Sequence, residues 1–168
     1  GGLTLVVAPA GFGKTTLVSS WLQTLDGDHD TPLPSAWLTL DEGDKDRDVF
    51  LQYFIAALQT IFPEAGAETL NMLNARQQAP TRVLLNSLSN EIDALPGRFV
   101  MVMDDLHTSH GQALFDTLNQ WLQHWPRRLH LVFLSRFNPP LSLPTLRARG
   151  LVTEIQSRDL RFTPAVAV

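Results

Sequence analysis

Cysteine is missing from all 168 residues. Disulfides and thiolate metal sites are therefore excluded, and the chain suits a reducing compartment. No run approaches the ~18 apolar residues that a membrane-spanning helix needs. Positive charge is not in excess either, with 13 Lys and Arg against 17 Asp and Glu and a formal charge of −4. A basic nucleic-acid surface is not expected on such a chain. Charged residues make up only 18% and hydrophobic ones 44%, which excludes a disordered chain and leaves ample material for one core. Internal repeats and low-complexity tracts are lacking as well.

What is present begins at residue 3. The apolar run Leu3-Thr4-Leu5-Val6-Val7 reads as a strand, and Lys14 to Leu25 reads as a helix. Between them lies Ala8-Pro9-Ala10-Gly11-Phe12-Gly13-Lys14-Thr15-Thr16. Strand, glycine loop, Gly-Lys-Thr and helix form the layout of a phosphate-binding P-loop. Small residues let successive N–H groups point inward at an anion, and the helix adds its free amides and the positive end of its dipole. The predicted cradle is Ala10, Gly11, Phe12, Gly13, Lys14, Thr15 and Thr16. Lys14 would reach the β- and γ-phosphates, and the Thr15 hydroxyl would ligate Mg²⁺. Ala8 stands where the motif has Gly; it adds only a methyl group, and Gly11 and Gly13 still supply unusual dihedrals.

Strand and helix patterns alternate through the rest of the chain, which predicts an α/β fold with a mainly parallel, five-stranded sheet. The remaining strands are expected at Ala36–Leu40, Phe99–Met103, Leu129–Leu134 and Leu151–Ile155. Asp48 is expected to cap a helix bearing Phe50, Phe54, Leu58 and Ile61, stopped by Pro63. Residues 64–79 contain a weaker helical pattern. Thr81 is expected to cap a helix with Leu84, Leu85, Leu88, Ile92 and Leu95 on its apolar side. A further helix is expected over 111–125, and a short one near Leu146. The four tryptophans, Trp21, Trp37, Trp121 and Trp125, read as core or helix-packing residues.

The third strand runs into Asp104-Asp105. An apolar strand ending in acidic residues, long after a P-loop, is the expected Walker B element. Asp104 would hold Mg²⁺, and Asp105 would polarise the water that attacks the γ-phosphate. Strand four ends in Ser135-Arg136. In P-loop folds with an extra strand between the P-loop strand and the Walker B strand, strand four lies beside strand one. Arg136 would then face the γ-phosphate. Asp41 is a weaker candidate for the rim of the site. The turn from 41 to 48 mixes signs and lacks the acceptor spacing of a calcium loop. His107 and His110 are three apart but have no companion ligands for zinc; His107 is expected near the phosphates because it follows Asp105.

These blocks, together with Ala36-Trp37-Leu38-Thr39-Leu40-Asp41-Glu42-Gly43-Asp44, Leu143-Pro144-Thr145-Leu146-Arg147-Ala148-Arg149-Gly150 and Leu160-Arg161-Phe162-Thr163-Pro164, resemble in order the nucleotide-binding domain of the large ATP-binding LuxR-type regulators. The resemblance spans nearly the whole chain. It implies a three-layer P-loop NTPase fold of the STAND class, related to AAA+, with strand order 5-1-4-3-2. It also implies a slow ATPase that switches between an ADP-bound resting form and an ATP-bound form that self-associates, in the cytoplasm. DNA would be bound only by a C-terminal domain absent here, and no membrane is involved. The chain reads as a single domain, 1–168, and its start at Gly1-Gly2 directly before the first strand, with no leader read there, is expected of a piece of a longer regulator. The site residues implied are Gly11, Gly13 and Lys14 for phosphate, Thr15 and Asp104 for Mg²⁺, Asp105 for hydrolysis and Arg136 for γ-phosphate sensing. The competing readings are a P-loop kinase, with Arg147 and Arg149 as its only candidate lid cations, and a non-hydrolysing scaffold.

Overall fold

Three strands of the sheet are apolar along almost their whole length, and that decides where they lie. In the computed structural model, which describes residues 2–9, 13–24, 33–40, 46–105 and 111–156, β1 (Gly2–Val7), β3 (Phe99–Asp104) and β4 (Leu129–Ser135) are buried on both faces. β2 (Ser35–Thr39) alternates exposed and buried residues and forms one edge; β5 (Val152–Gln156) forms the other. The order is β2-β3-β4-β1-β5 and every pairing is parallel. Read from the other edge, this is 5-1-4-3-2, the order expected of the P-loop NTPase fold.

The two-residue period of the strands divides the core. Leu3, Leu5, Phe99, Met101, Leu131 and Phe133 face one way, toward α2 (Arg47–Leu58), α4 (Thr81–Asp93) and α5 (Gln112–Leu122). Val6, Val100, Val102, Val132 and Leu134 face the other way, where Val18 of α1 (Lys14–Thr24) packs. The result is three layers around one sheet. The helical stripes predicted from spacing are the buried ones: Phe50, Phe54 and Leu58; Leu84, Leu85, Leu88 and Ile92; Leu114, Leu118 and Trp121.

Helix ends depart from the sequence reading. Asp46, not Asp48, caps α2: its backbone is extended and its carboxylate accepts the Asp48 amide at 3.1 Å. Asp48 sits inside the first turn and pairs with Arg47 at 2.7 Å. The helix stops at Leu58, before Pro63, and Ile61 packs from the turns that follow. Within 64–79 only α3 (Ala67–Leu73) forms. Pro80 occupies the cap position of α4, so Thr81 is its first residue. The Thr81 hydroxyl instead accepts a hydrogen bond from Arg47 Nη1 at 2.9 Å, which ties the start of α4 to the start of α2. The small helix near Leu146 is α6 (Pro144–Ala148).

Trp37 is the clearest packing error in the sequence reading. It lies on edge strand β2, on the face away from the core residues Ala36 and Leu38, and is 39% exposed. Trp121 is buried and Trp125 packs beside it with ring centroids 5.2 Å apart. The Trp21 side chain lies outside the described residues.

His130 reaches across from β4 to β1, where its Nε2 and Thr4 Oγ1 hydrogen-bond at 2.9 Å. Burial, with nearby positive charge including Arg98, pulls its pKa from 6.5 down to about 4. The folded ring therefore stays neutral where the unfolded chain protonates. Stability should be full above pH 6.5 and fall as the pH drops toward 4, by about 1 kcal/mol at pH 5 after allowing for the water that still reaches the ring. Urea midpoints at pH 7 and pH 5 test this. His130→Gln should shrink the difference between them, and an unchanged difference would remove His130 as its cause.

Candidate functional site

In a parallel sheet, ligands bind beyond the carboxyl ends of the strands, where the chain turns into helices. Here the ends of β1, β3 and β4 lie side by side, since Val7 pairs with Ser135 and β3 pairs with β4. Their turns enclose a cleft of about 230 Å³ lined by Lys14, Thr15, Thr39, Asp104, Asp105, Leu134, Ser135 and Arg136.

The turn after β1 sets Lys14 at the start of α1. Gly13 adopts φ +75°, a left-handed conformation that side chains disfavour, and its carbonyl accepts the Leu17 amide at 2.9 Å to open the helix. The Lys14 ammonium donates to the Ala8 carbonyl at 2.7 Å and the Pro9 carbonyl at 3.3 Å, which ties the start of α1 to the end of β1. Burial lowers the Lys14 pKa, the Arg136 charge lowers it further, and Asp104 and Asp105 oppose the shift. Four charges drawn from three turns thus act on one another across a single cleft. A phosphate entering between Lys14 and Arg136 would relieve their repulsion.

Asp104 ends β3 and accepts the Asp105 amide on its Oδ1 at 2.8 Å. Asp105 itself stands at φ +61°, the one described non-glycine residue with positive φ. Such backbone is sparsely populated and collects at functional sites; Asp is among the residues that tolerate it. The turn aims successive carboxylates into the cleft instead of to opposite faces.

Of the residues proposed from sequence, the cleft brings together Lys14, Thr15, Asp104, Asp105 and Arg136. Thr16, next along α1, is exposed and does not line it. Ala10, Gly11, Phe12, Asp41, His107 and His110 lie outside the described residues. Three lining residues, Thr39, Leu134 and Ser135, are not among those the sequence proposes. Thr39 ends β2 directly opposite Asp104, a pairing set by interstrand register and carried by no motif in the sequence. Leu134 and Ser135 close β4 just before Arg136 and carry no motif of their own.

The donor set fits Mg²⁺ bound with a nucleotide. Thr15 supplies a hydroxyl and Asp104 a carboxylate, hard oxygens suited to an ion that otherwise keeps water and phosphate ligands. Among the described residues no group of three His, Asp or Glu gathers as a dedicated metal cage.

Known proteins similar to this chain point to one group of regulators. The chain is 36% identical over 161 residues to the HTH-type transcriptional regulator MalT of Klebsiella pneumoniae subsp. pneumoniae, and 37% identical over 161 residues to that of Cronobacter sakazakii. Each match covers 96% of this chain. The chain is related to the MalT regulators. It spans only 17% of the length of these MalT relatives. The matched stretch is long enough to take in the turns after β1, β3 and β4. No family model matches the sequence. Among solved structures, Cdc6p of Pyrobaculum aerophilum superposes with a TM-score of 0.50 at 14% identity, over 91% of this chain and 38% of its own; this likeness concerns the fold alone. No helix among the described residues is long and apolar enough to cross a membrane.

Proposed function

We propose that this chain is the ATP-binding, slowly ATP-hydrolysing switch domain of a larger, signal-responsive transcriptional regulator of the LuxR and STAND type. The observation that carries this reading is the meeting of Lys14, Thr15, Asp104, Asp105 and Arg136 in one cleft at the carboxyl edge of the sheet. The MalT likeness supports the regulatory part. On this reading residues 1–168 form a single P-loop domain, working in the cytoplasm. DNA contact belongs to a domain outside this chain, and the full-length protein self-associates when ATP is bound.

The division of labour follows from charge and position. The Walker A residues Gly11, Gly13 and Lys14, with the free amides at the start of α1, hold the phosphates. Thr15 and the Walker B carboxylate Asp104 hold Mg²⁺, whose charge offsets that of the phosphate oxygens. Asp105 orients the attacking water and accepts its proton. Arg136 faces the terminal phosphate and favours the charge that develops there. ATP and ADP then differ in the contacts they offer Arg136 and Asp105, and differential affinity of two conformations for them would drive the switch.

The kinase alternative is weakened by one contact. Arg147, half of its only candidate lid pair, is engaged by Glu154 of β5.

The test is release of inorganic phosphate from ATP with no acceptor added, which a kinase would not show. Asp105→Asn should slow release at least about tenfold while nucleotide affinity stays within about threefold of wild type. Asn is as tolerant of positive φ as Asp, so the substitution removes charge without straining the turn. Loss of binding instead would contradict the roles given to Asp104 and Asp105.

A further inference from the structure

Arg136 and Phe137 both emerge from the end of β4 into solvent; Phe137 is 62% exposed, so packing does not hold this turn in place. The residue before them is different. Ser135 is 1% exposed, a hydroxyl directly after the buried apolar run Leu131–Leu134 of β4. Its Oγ donates to the Phe137 carbonyl at 2.5 Å and accepts from the Phe137 amide at 3.2 Å. Both bonds span Arg136 and close a small loop with the guanidinium-bearing residue at its apex.

The Ser135 backbone faces the other way. Its carbonyl accepts the Ala8 amide at 3.0 Å, and the Ala8 carbonyl accepts the Lys14 ammonium at 2.7 Å. One buried residue thus joins the phosphate loop to the turn that carries Arg136. A long, flexible Arg side chain discriminates between ligands only if its base is fixed, because each freely moving rotamer costs affinity when it is immobilised.

We propose that Ser135 is a positioning residue: its buried hydroxyl clamps the 135–137 turn so that Arg136 meets the terminal phosphate and thereby sets the preference of the site for ATP over ADP. This rests on the nucleotide reading above. The hydroxyl touches no phosphate on this account; it acts through Arg136.

The experiment is a double-mutant cycle read as the ratio of ATP to ADP affinity, titrated calorimetrically with Mg²⁺ on the full chain. Ser135→Ala should lower that ratio about tenfold, the worth of one charge-assisted hydrogen bond, and weaken ADP by less than about twofold. Arg136→Ala should lower the ratio by a similar factor, and the double variant by no more than either alone. Equal weakening of ATP and ADP by Ser135→Ala, or multiplication of the two effects, would overturn the proposal. If Ser135→Ala does not fold, Ser135→Thr keeps the hydroxyl: a ratio within about twofold of wild type supports the clamp, and a tenfold loss opposes it. A wild-type chain that binds neither nucleotide would overturn the phosphate-site reading itself, a result distinct from binding without selectivity.

Discussion

Lys14→Ala should weaken both ATP and ADP at least about a hundredfold, measured by titration calorimetry. A hundredfold is ~2.8 kcal/mol, within reach of one or two charge-assisted bonds to phosphate. The substitution also removes the ammonium that holds the Ala8 and Pro9 carbonyls, so the end of β1 loses its tie to α1 along with the ligand contact. Because Lys14 sits at the surface end of α1, the fold should survive, and an unchanged near-ultraviolet circular dichroism spectrum would separate lost binding from lost structure. Undiminished affinity would instead favour the scaffold reading, in which the loop is a relic.

Trp121→Ala should be the most damaging change to the fold, costing about 3–5 kcal/mol in urea unfolding. The indole is 1% exposed. It meets Phe54 of α2 edge-on at 4.9 Å and Trp125 at 5.2 Å, and its Nε1 donates to Ser89 Oγ of α4 at 2.8 Å. Removing it opens a cavity where three helices meet and takes away the donor to Ser89. Trp37→Ala, on the exposed edge of β2, should cost no more than about 1 kcal/mol. Similar losses at the two positions would contradict the layer arrangement.

The contrast between these tryptophans shows what the sequence could and could not reveal. Strands β1, β3 and β4 were legible because continuous apolar runs have few places to go except the middle of a parallel sheet. α2, α4 and α5 were legible because their apolar residues recur at helical spacing. Trp37 was not, because hydrophobicity alone does not say which strand ends up at an edge. Helix caps failed for a related reason. Asp46, Asp48, Pro80 and Thr81 all suit a helix start, and only tertiary contacts such as the Arg47 bond to Thr81 choose among them. At the site, Lys14, Thr15, Asp104, Asp105 and Arg136 were readable from motif and strand order. Thr39 and the clamp at Ser135 were not, since one depends on interstrand register and the other on a side-chain bond two residues long. The left-handed backbone at Asp105 leaves no mark in the sequence beyond a residue type that tolerates it.

On the proposed function, Lys14 and the carboxylate of Asp104 grip one nucleotide and its metal. Mn²⁺ in place of Mg²⁺, crystallised with the chain and ADP, tests it directly through the anomalous signal of the ion. A single strong peak is expected between Thr15 Oγ1 and the Asp104 carboxylate, in contact with the nucleotide phosphates. A peak away from both side chains, with nucleotide bound elsewhere on the sheet, would contradict it.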